Sequence, residues 1–269
     1  MDASHFDTDP ARRFGGIDRL YGEGAVARLG AARVCVVGIG GVGSWAAEAL
    51  ARSGVGHLTL IDLDHVAESN INRQAHALET SLGQAKVLAM GERIRAINPR
   101  VSLRAVEEFV DADNAATLLQ GCDCVIDAID NVRAKVAMVL ACTAAHVPLI
   151  VAGGAGGKRD PRNVRVADLA HTYQDPLLAK VRKRLRTEHG FPRDTRRRFG
   201  IEAVYVEEPL RMPEALCDSA QGPQGLACAG YGSSMMVTAA VGLQLAARVL
   251  ERLLADTVNA GTAGTAREA

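Results

Sequence analysis

Short apolar runs rich in β-branched residues alternate with longer helical stretches from Arg33 onward. The runs predict strands at residues 34–37, 57–61, 101–106, 124–128 and 148–151. Helical stretches begin between them near Gly41, Gly83, Asp111 and Val132. Strands that are apolar throughout and separated by helices are typical of a parallel sheet covered on both faces. The pattern therefore predicts a doubly wound α/β fold with a mainly parallel sheet.

The alternation becomes irregular after Gly153. A glycine-rich turn over 153–157 precedes a predicted strand at 164–166, a strongly basic helical segment and a further predicted strand at 198–207. Residues 217–232 have the composition of a loop. The chain then enters a closing helix, whose apolar residues at helical spacing are Met236, Ala240, Leu243, Ala247, Leu250 and Leu254.

Composition narrows the classes of protein. Lys plus Arg and Asp plus Glu both total 31, so the overall charge gives no reason to expect a nucleic-acid partner. Residues 1–12 lack the apolar core of a secretory signal, which favours a cytoplasmic protein. Residues 219–247 carry no formal charge, yet their Gly, Pro, Gln and Ser content favours a packed amphipathic helix over a membrane span.

The cysteines do not indicate a zinc site. They are Cys35, Cys122, Cys124, Cys142, Cys217 and Cys228, and no two have C-x-x-C spacing. We therefore expect no structural zinc and no disulfide framework. Cys122 and Cys124 fall at the start of a buried strand and are predicted to be core residues.

A glycine motif lies between the first predicted strand and the next helix. Its members are Gly38, Gly40, Gly41 and Gly43. In this context glycines let the backbone approach a phosphate, and the helix N-terminus supplies N–H groups and a favourable dipole. Asp62 ends the second strand, where a carboxylate can accept hydrogen bonds from ribose hydroxyls. Up to this point an NAD-dependent oxidoreductase fits as well as an ATP-binding enzyme.

Residues further along the chain favour ATP. They are Asp64, Asn70, Arg73, Gln74, Lys86, Asp130 and Asn131. Arg73 and Lys86 would lie near the phosphates, where cations stabilise the charge that develops during attack at the α-phosphorus and release of pyrophosphate. Asp130 ends a strand at the same sheet edge and can help to hold Mg²⁺. Taken alone, Asp130 also fits the N-cap of the following helix.

Over residues 13–157 this pattern resembles the E1-like adenylating superfamily. The resemblance implies a homodimer, ATP and Mg²⁺, and a Rossmann-like fold with a C-terminal extension. It also implies that ATP and its metal bind at Gly41, Asp62, Asn70, Arg73, Lys86 and Asp130, and that Arg13 reaches a phosphate across the dimer. Members that activate sulfur-carrier or ubiquitin-like proteins usually hold zinc through two C-x-x-C pairs. This chain has no such pairs, which counts against their function, although that function stays the nearest alternative.

A narrower resemblance, to the tRNA threonylcarbamoyladenosine dehydratases, spans nearly the whole chain. The segments that carry it are 13–16, 20–22, 38–52, 127–130, 153–157, 168–170, 174–177, 231–232 and 236–239. It implies ATP-dependent activation of the carboxylate of a modified adenosine next to the anticodon in tRNA, followed by cyclisation with loss of AMP. The sequence leaves open whether a monovalent cation is also bound.

The basic segment gives an independent reason to expect RNA. Residues 180–199 hold nine cations against two anions, which suits a phosphate backbone, although a solvated charged helix is the alternative. The candidate tRNA contacts are Lys180, Arg182, Lys183, Arg184, Arg186, Arg196, Arg197 and Arg198. A non-enzymatic tRNA-binding or sulfur-relay adaptor would keep this segment without needing Lys86 or Asp130. Cys228 matches a cysteine that the family links to sulfur relay, which makes it a candidate sulfur acceptor from a cysteine desulfurase.

These features divide the chain into four regions. We expect an N-terminal arm over 1–30 and an ATP-binding core over 31–157. Residues 158–254 would form the substrate-binding and closing-helix region of the same domain, and 255–269 a flexible tail.

Overall fold

One sheet of seven strands runs through the part of the chain that the computed structural model describes, residues 9–211 and 231–264. Its order is β3-β2-β1-β4-β5-β7-β6, and all neighbours pair in parallel except β6 with β7. The strands are β1 (Arg33–Val37), β2 (His57–Ile61), β3 (Ser102–Val106), β4 (Cys124–Asp127), β5 (Leu149–Ala152), β6 (Val164–Asp168) and β7 (Glu202–Val206). The predicted doubly wound, mainly parallel fold is confirmed.

Helices cover both faces of the sheet. They are α1 (Pro10–Tyr21), α2 (Ala25–Ala31), α3 (Gly43–Arg52), α4 (Lys86–Ile97), α5 (Ala115–Leu118), α6 (Val132–Ala145), α7 (Pro176–Glu188) and α8 (Met235–Gly264). Alternate residues of β1 point to opposite cores: Val34 and Val36 pack with α2, α3, α4 and α8, whereas Cys35 and Val37 pack with α5, α6 and α7. Because both faces are buried at the centre of the sheet, β5 is apolar at every position, and β1 and β4 each carry a single charged residue, at one end.

The closing helix α8 buries a face that matches the expected one only in its last turns, where Leu250 and Leu254 are buried as predicted. Val237, Val241, Leu245 and Val249 are fully buried, whereas Leu243 is 53% exposed. The helix is apolar on most of its surface, so spacing alone does not decide which stripe packs; contact with α3 decides it. The helix also continues to Gly264 instead of ending near Leu254. Among the described helices, none is long and apolar enough to cross a membrane.

Two other predicted elements are shorter in the structure. The strand predicted at 198–207 begins only at Glu202, because the Asp168 carboxylate accepts hydrogen bonds from the backbone of Phe199 and Gly200 and holds that stretch in a turn. The helical stretch near Asp111 forms only the four-residue α5. Gly121, with a φ of 75°, turns the chain toward β4 soon after it.

Candidate active site

A cleft of about 1000 Å³ lies along the edge where the parallel strands end. The direction in which strands are added reverses at β1. Strands β2 and β3 lie on one side of it, and β4 and β5 lie on the other. Open α/β sheets bind ligands at this topological switch point. The structure brings most of the predicted residues together here: Gly38, Gly40, Gly41, Asp62, Asp64, Asn70, Arg73, Gln74, Lys86, Asp130 and Asn131. Gly43 lies just behind them, at the first position of α3.

The glycine motif forms a tight loop at the floor of the cleft. A Cβ atom on Gly43 would lie 1.8 Å from the carbonyl oxygen of Gly38, so only glycine fits there. A Cβ atom on Gly40 would meet no atom within 4 Å, because that residue faces open space in the cleft. Val42, the N-cap residue of α3, makes no side-chain capping bond. This end of α3 can therefore offer its N–H groups to an anion.

The Asp62 carboxylate is tied to the glycine loop. One oxygen accepts from the backbone N–H of Ile39 at 2.6 Å and the other from that of Asp64 at 2.9 Å. Burial raises the pKa of Asp62, although the charge of Lys86 opposes the shift. Each oxygen keeps a further lone pair, so the carboxylate can still accept from a hydroxyl in the cleft.

Lys86 and Arg73 bring two cations to the same cavity. The ammonium of Lys86, at the start of α4, lies 2.7 Å from a carboxylate oxygen of Asp64 and is mostly buried. The Arg73 guanidinium donates to the Ser69 carbonyl at 2.7 Å and to the Asn72 side chain at 2.9 Å. These bonds use one nitrogen of the guanidinium, so its other N–H groups can bind a phosphate.

Some buried polar groups of the cleft lack a partner within the described residues. The side-chain oxygens of Gln74 and Thr238 are buried and accept or donate no hydrogen bond there. Both residues line the cavity. A buried polar group without a partner is costly, which indicates that a polar ligand completes the site. Asn70, in contrast, uses its side-chain oxygen locally, accepting from the backbone of Ala67 at 3.1 Å.

Asp130 and Asn131 have separate roles. The N-cap of α6 is Asn131, whose side chain accepts from the backbone N–H groups of Arg133 and Ala134. The alternative of Asp130 as the cap is therefore wrong. The Asp130 carboxylate is exposed to the cleft and makes no hydrogen bond or ion pair with the described residues. The described part of the chain has no group of three metal-binding side chains, and Mg²⁺ bound to nucleotide phosphates needs only one or two carboxylates.

Two buried lysines next to the cleft were not singled out from the sequence. Lys135 pairs with Asp127 at the end of β4. Lys158 donates to the carbonyl of Val206 at 2.6 Å and lies 3.5 Å from Asp175, and burial lowers its pKa. Apart from Arg133 near its start, α6 carries no charged residue except Lys135, and this isolated charge was the available sequence signal for Lys135.

Asp175 joins α7 to the loop after β5. One carboxylate oxygen caps α7 by accepting from the N–H of Leu178, and the other accepts from the N–H of Gly154. A Cβ atom on Gly153 would lie 2.3 Å from that carboxylate. The sequence signal was Asp followed by Pro176, a frequent start of a helix. This junction fixes the wall of the cleft on the β5 side.

The structure divides the cations of the basic segment. Arg182 donates to the hydroxyl of Thr172, and Arg186 donates to the carbonyl of Pro192 and stacks 5.1 Å from the Phe199 ring. These two side chains stabilise the fold of the segment itself. Arg184 lines the cleft, and Lys180 lies beside a shallower depression at its mouth. The remaining candidates, Lys183, Arg196, Arg197 and Arg198, are exposed and line neither cavity.

Comparison with known proteins identifies the family. A model of the ThiF family matches residues 16–266. The chain belongs to the ThiF family. This confirms the resemblance to the E1-like adenylating enzymes that the motifs indicate.

Relatives of this ThiF-family chain include enzymes that match it along nearly its whole length. The tRNA threonylcarbamoyladenosine dehydratase of Escherichia coli is 46% identical over 258 residues, which cover 93% of this chain and 96% of that enzyme. A crystal structure of the E. coli enzyme in complex with ATP has a TM-score of 0.83 at 44% identity, covering 93% of this chain and 96% of that one. The molybdopterin-synthase adenylyltransferase of Salmonella typhimurium is 40% identical over 119 residues, only 44% of this chain and 48% of that protein.

Arg13 does not line the cleft of its own chain. It lies on α1, where its guanidinium donates to the carbonyl of Ile97 at the end of α4. A contact with a phosphate would therefore have to come from the Arg13 of a second copy. The contact across a dimer that is expected for Arg13 from the sequence requires the same arrangement.

The described cysteines are placed in and around the core. Cys124 is fully buried, as expected, and burial raises its pKa to about 12. Cys122 is only half-buried, because it lies in the turn before β4. It is hydrogen-bonded to Cys35, which lowers the pKa of the Cys122 thiol. Cys217 and the candidate sulfur acceptor Cys228 lie outside the described residues.

Proposed function

We propose that this chain is an ATP-dependent dehydratase that acts on threonylcarbamoyladenosine next to the anticodon in tRNA. The observation that carries the proposal is the continuity of the cleft. Nucleotide-binding features at the ends of β1, β2 and β4 lead into a second lobe formed by the loop after β5 and by α7. The similarity to the E. coli dehydratase also extends through this second half, whereas the similarity to the adenylyltransferase covers less than half of the chain.

ATP would lie with its ribose at Asp62 and its phosphates over the loop that contains Gly40. Lys86 and Arg73 are the cations within reach of those phosphates. The free carboxylate of Asp130 would hold Mg²⁺, which neutralises charge on the leaving pyrophosphate. The unpartnered side chains of Gln74 and Thr238 support this placement, since a nucleotide can supply the hydrogen bonds that they lack.

The reaction has two steps. A carboxylate oxygen of the threonyl group attacks the α-phosphorus of ATP, the bond to the bridging oxygen breaks, and pyrophosphate leaves with that electron pair. A nucleophilic atom of the same modified side chain then attacks the activated carbonyl carbon, gives up its proton to solvent and expels AMP. The nucleoside loses the elements of one water molecule, which appear in the conversion of ATP to AMP and pyrophosphate.

The chain needs no acyl-accepting cysteine for this chemistry. The second nucleophile belongs to the substrate, so ring closure is intramolecular and gains from proximity. The wall of the cleft therefore has to hold the mixed anhydride in a reactive geometry and exclude water. The junction of Asp175 with Gly154 gives that wall its fixed position.

Partners follow from the same proposal. The substrate is tRNA that carries threonylcarbamoyladenosine, and the active form is a homodimer in which Arg13 of each copy contacts a phosphate bound by the other. A sulfur-acceptor role for Cys228 toward a cysteine desulfurase, and a bound monovalent cation, remain separate predictions. Transfer of labelled persulfide sulfur from the desulfurase to this chain tests the role of Cys228. The dependence of turnover on potassium or sodium tests the bound cation.

The alternative is an adenylyltransferase that activates a sulfur-carrier or ubiquitin-like protein. The exchange of labelled pyrophosphate into ATP separates the two functions. The dehydratase catalyses exchange with the modified tRNA and not with a carrier protein that ends in Gly-Gly. Exchange that requires the carrier would contradict the proposal, and NADH binding without exchange would favour an oxidoreductase.

A further inference from the structure

The mouth of the cleft is polarised in charge. On the β3 side it is lined by three exposed acidic residues, Glu108, Asp111 and Asp113. On the opposite side it is lined by Arg133 of α6 and Arg184 of α7. An anion that approaches the cleft is therefore repelled on one side and attracted on the other.

A third cation extends the basic side. Lys180 and Arg133 face a depression of about 350 Å³, which shares Asp130, Asn131 and Arg133 with the main cleft. Lys180 lies one helical turn before Arg184 on α7, so both side chains project from the same flank. The opposite flank carries Arg182 and Arg186, which stabilise the fold of the basic segment. Only one flank of the basic helix thus faces the cleft.

The three cations are available to a ligand. Arg133 and Lys180 are exposed, and neither forms an ion pair with any residue that the structure describes. Arg184 pairs with Glu188 at 2.7 Å, four residues later on the same helix. Such an exposed pair is weak, so a phosphate can replace the carboxylate. The other anion beside the group is Asp130, the candidate ligand of Mg²⁺.

We infer that Arg133, Lys180 and Arg184 form a cationic rim that binds the RNA phosphates flanking the modified nucleotide. The inference rests on the proposed function, because that nucleotide must enter the cleft from an RNA loop. When a base is turned out of its stack into a pocket, the phosphates on either side of it stay at the mouth of the pocket. The acidic side of the mouth, at Glu108, Asp111 and Asp113, repels the RNA backbone and keeps it away from the β3 edge of the sheet.

Charge-neutralising variants test the rim. Arg133→Gln, Lys180→Gln and Arg184→Gln are compared with Arg95→Gln, which removes one charge from an exposed position of α4 away from the cleft. Dissociation constants for threonylcarbamoyladenosine-bearing tRNA are measured over a series of salt concentrations. Each rim variant should bind roughly 3- to 10-fold more weakly, and the slope of log K against log salt should fall by about 0.7 for each lost contact. The control should change binding less than about twofold.

An opposite change on the acidic side gives a second, independent readout. Glu108→Gln should bind the tRNA as tightly as the wild type or more tightly, because it removes repulsion. Affinity for ATP is measured in the same preparations as a control. It should stay unchanged in the rim variants, which would show that their cleft is intact. Rim variants that bind tRNA like Arg95→Gln would overturn the inference, as would a loss of affinity in Glu108→Gln.

The test of the cationic rim can fail independently of the proposed dehydratase function. Loss of water from the nucleoside is measured with the wild type in parallel. If water is lost but the rim variants bind normally, the rim is wrong and the dehydratase function stands. If binding depends on the rim but no water is lost, the dehydratase function is wrong and the surface remains an RNA contact.

Discussion

The ammonium of Lys135 lies 2.8 Å from a carboxylate oxygen of Asp127, and both side chains are completely buried. The same ammonium donates to the carbonyl of Ala152 at 2.9 Å. It therefore joins the ends of β4 and β5, where one strand leads into Asp130 and the other into Gly153. This pair holds two walls of the cleft in register.

Lys135→Met tests the pair. The variant leaves the Asp127 carboxylate buried without a counter-ion, which should lower the free energy of unfolding by about 3 to 5 kcal/mol. Urea denaturation measures the change. The double variant Lys135→Met with Asp127→Leu removes both charges and should recover a large part of the loss. A single variant that loses less than about 1 kcal/mol would show that the pair does not hold this part of the fold.

Gly40 and Gly43 should respond differently to alanine. Gly43→Ala places a methyl group against the Gly38 carbonyl and should destabilise the fold by about 2 kcal/mol or more. Gly40→Ala adds a methyl group in open space. It should leave thermal unfolding unchanged yet weaken ATP binding about tenfold or more, because it occupies the position of a phosphate. Normal ATP affinity in Gly40→Ala would mean that the phosphates lie elsewhere.

Neighbouring variants separate metal binding from helix capping. Asn131→Ala removes the cap of α6 and should cost about 1 kcal/mol of stability. Asp130→Asn should leave stability unchanged, since its carboxylate makes no hydrogen bond or ion pair with the described residues. It should instead raise the Mg²⁺ concentration needed for half-maximal turnover. The result that speaks against this assignment is an unchanged Mg²⁺ requirement in Asp130→Asn.

Local sequence patterns were sufficient to predict most of the sheet and to predict that the candidate nucleotide-binding residues meet in one cleft. Strand β2 is the predicted segment, and the glycine motif and Asp62 meet as their positions after β1 and β2 require. These predictions succeed because the ends of parallel strands share one edge. The buried face of α8 could be predicted only in part, because several apolar stripes compete on that helix and packing selects among them.

The basic side of the cleft mouth could likewise be predicted only in part from the sequence. Arg133 was missed because it is a single cation far in sequence from the basic segment, and only the fold brings it beside Lys180. Within the basic segment, charge alone could not distinguish Arg186, which packs on an aromatic ring, from Arg184, which faces the cleft. Such distinctions depend on which flank of α7 is turned inward.

His76 should make the stability of the protein depend on pH. It is 2% exposed, neither ring nitrogen has a partner within the described residues, and burial lowers its pKa to about 4. The unfolded chain binds a proton near pH 6.5, whereas the folded chain resists it until about pH 4. Stability is therefore lost as the pH falls through this window, by about 3 kcal/mol in total.

The variant His76→Leu isolates this contribution. Its free energy of unfolding should fall less steeply between pH 6.5 and pH 4 than that of the wild type, whereas His65→Gln, at an exposed histidine, should keep the full slope. Chemical denaturation at several pH values provides the comparison. Parallel curves for the wild type and His76→Leu would show that His76 titrates normally in the folded protein.

Mass spectrometry of nucleosides tests the central claim most directly. Threonylcarbamoyladenosine-bearing tRNA is incubated with the protein and Mg-ATP, and its nucleosides are isolated under mild conditions that preserve a labile ring. The account predicts that the modified nucleoside loses the mass of one water in the presence of ATP, and that Lys86→Ala abolishes this loss. An unchanged nucleoside with ATP bound would contradict the dehydratase function, and equal water loss without ATP would contradict activation by adenylation.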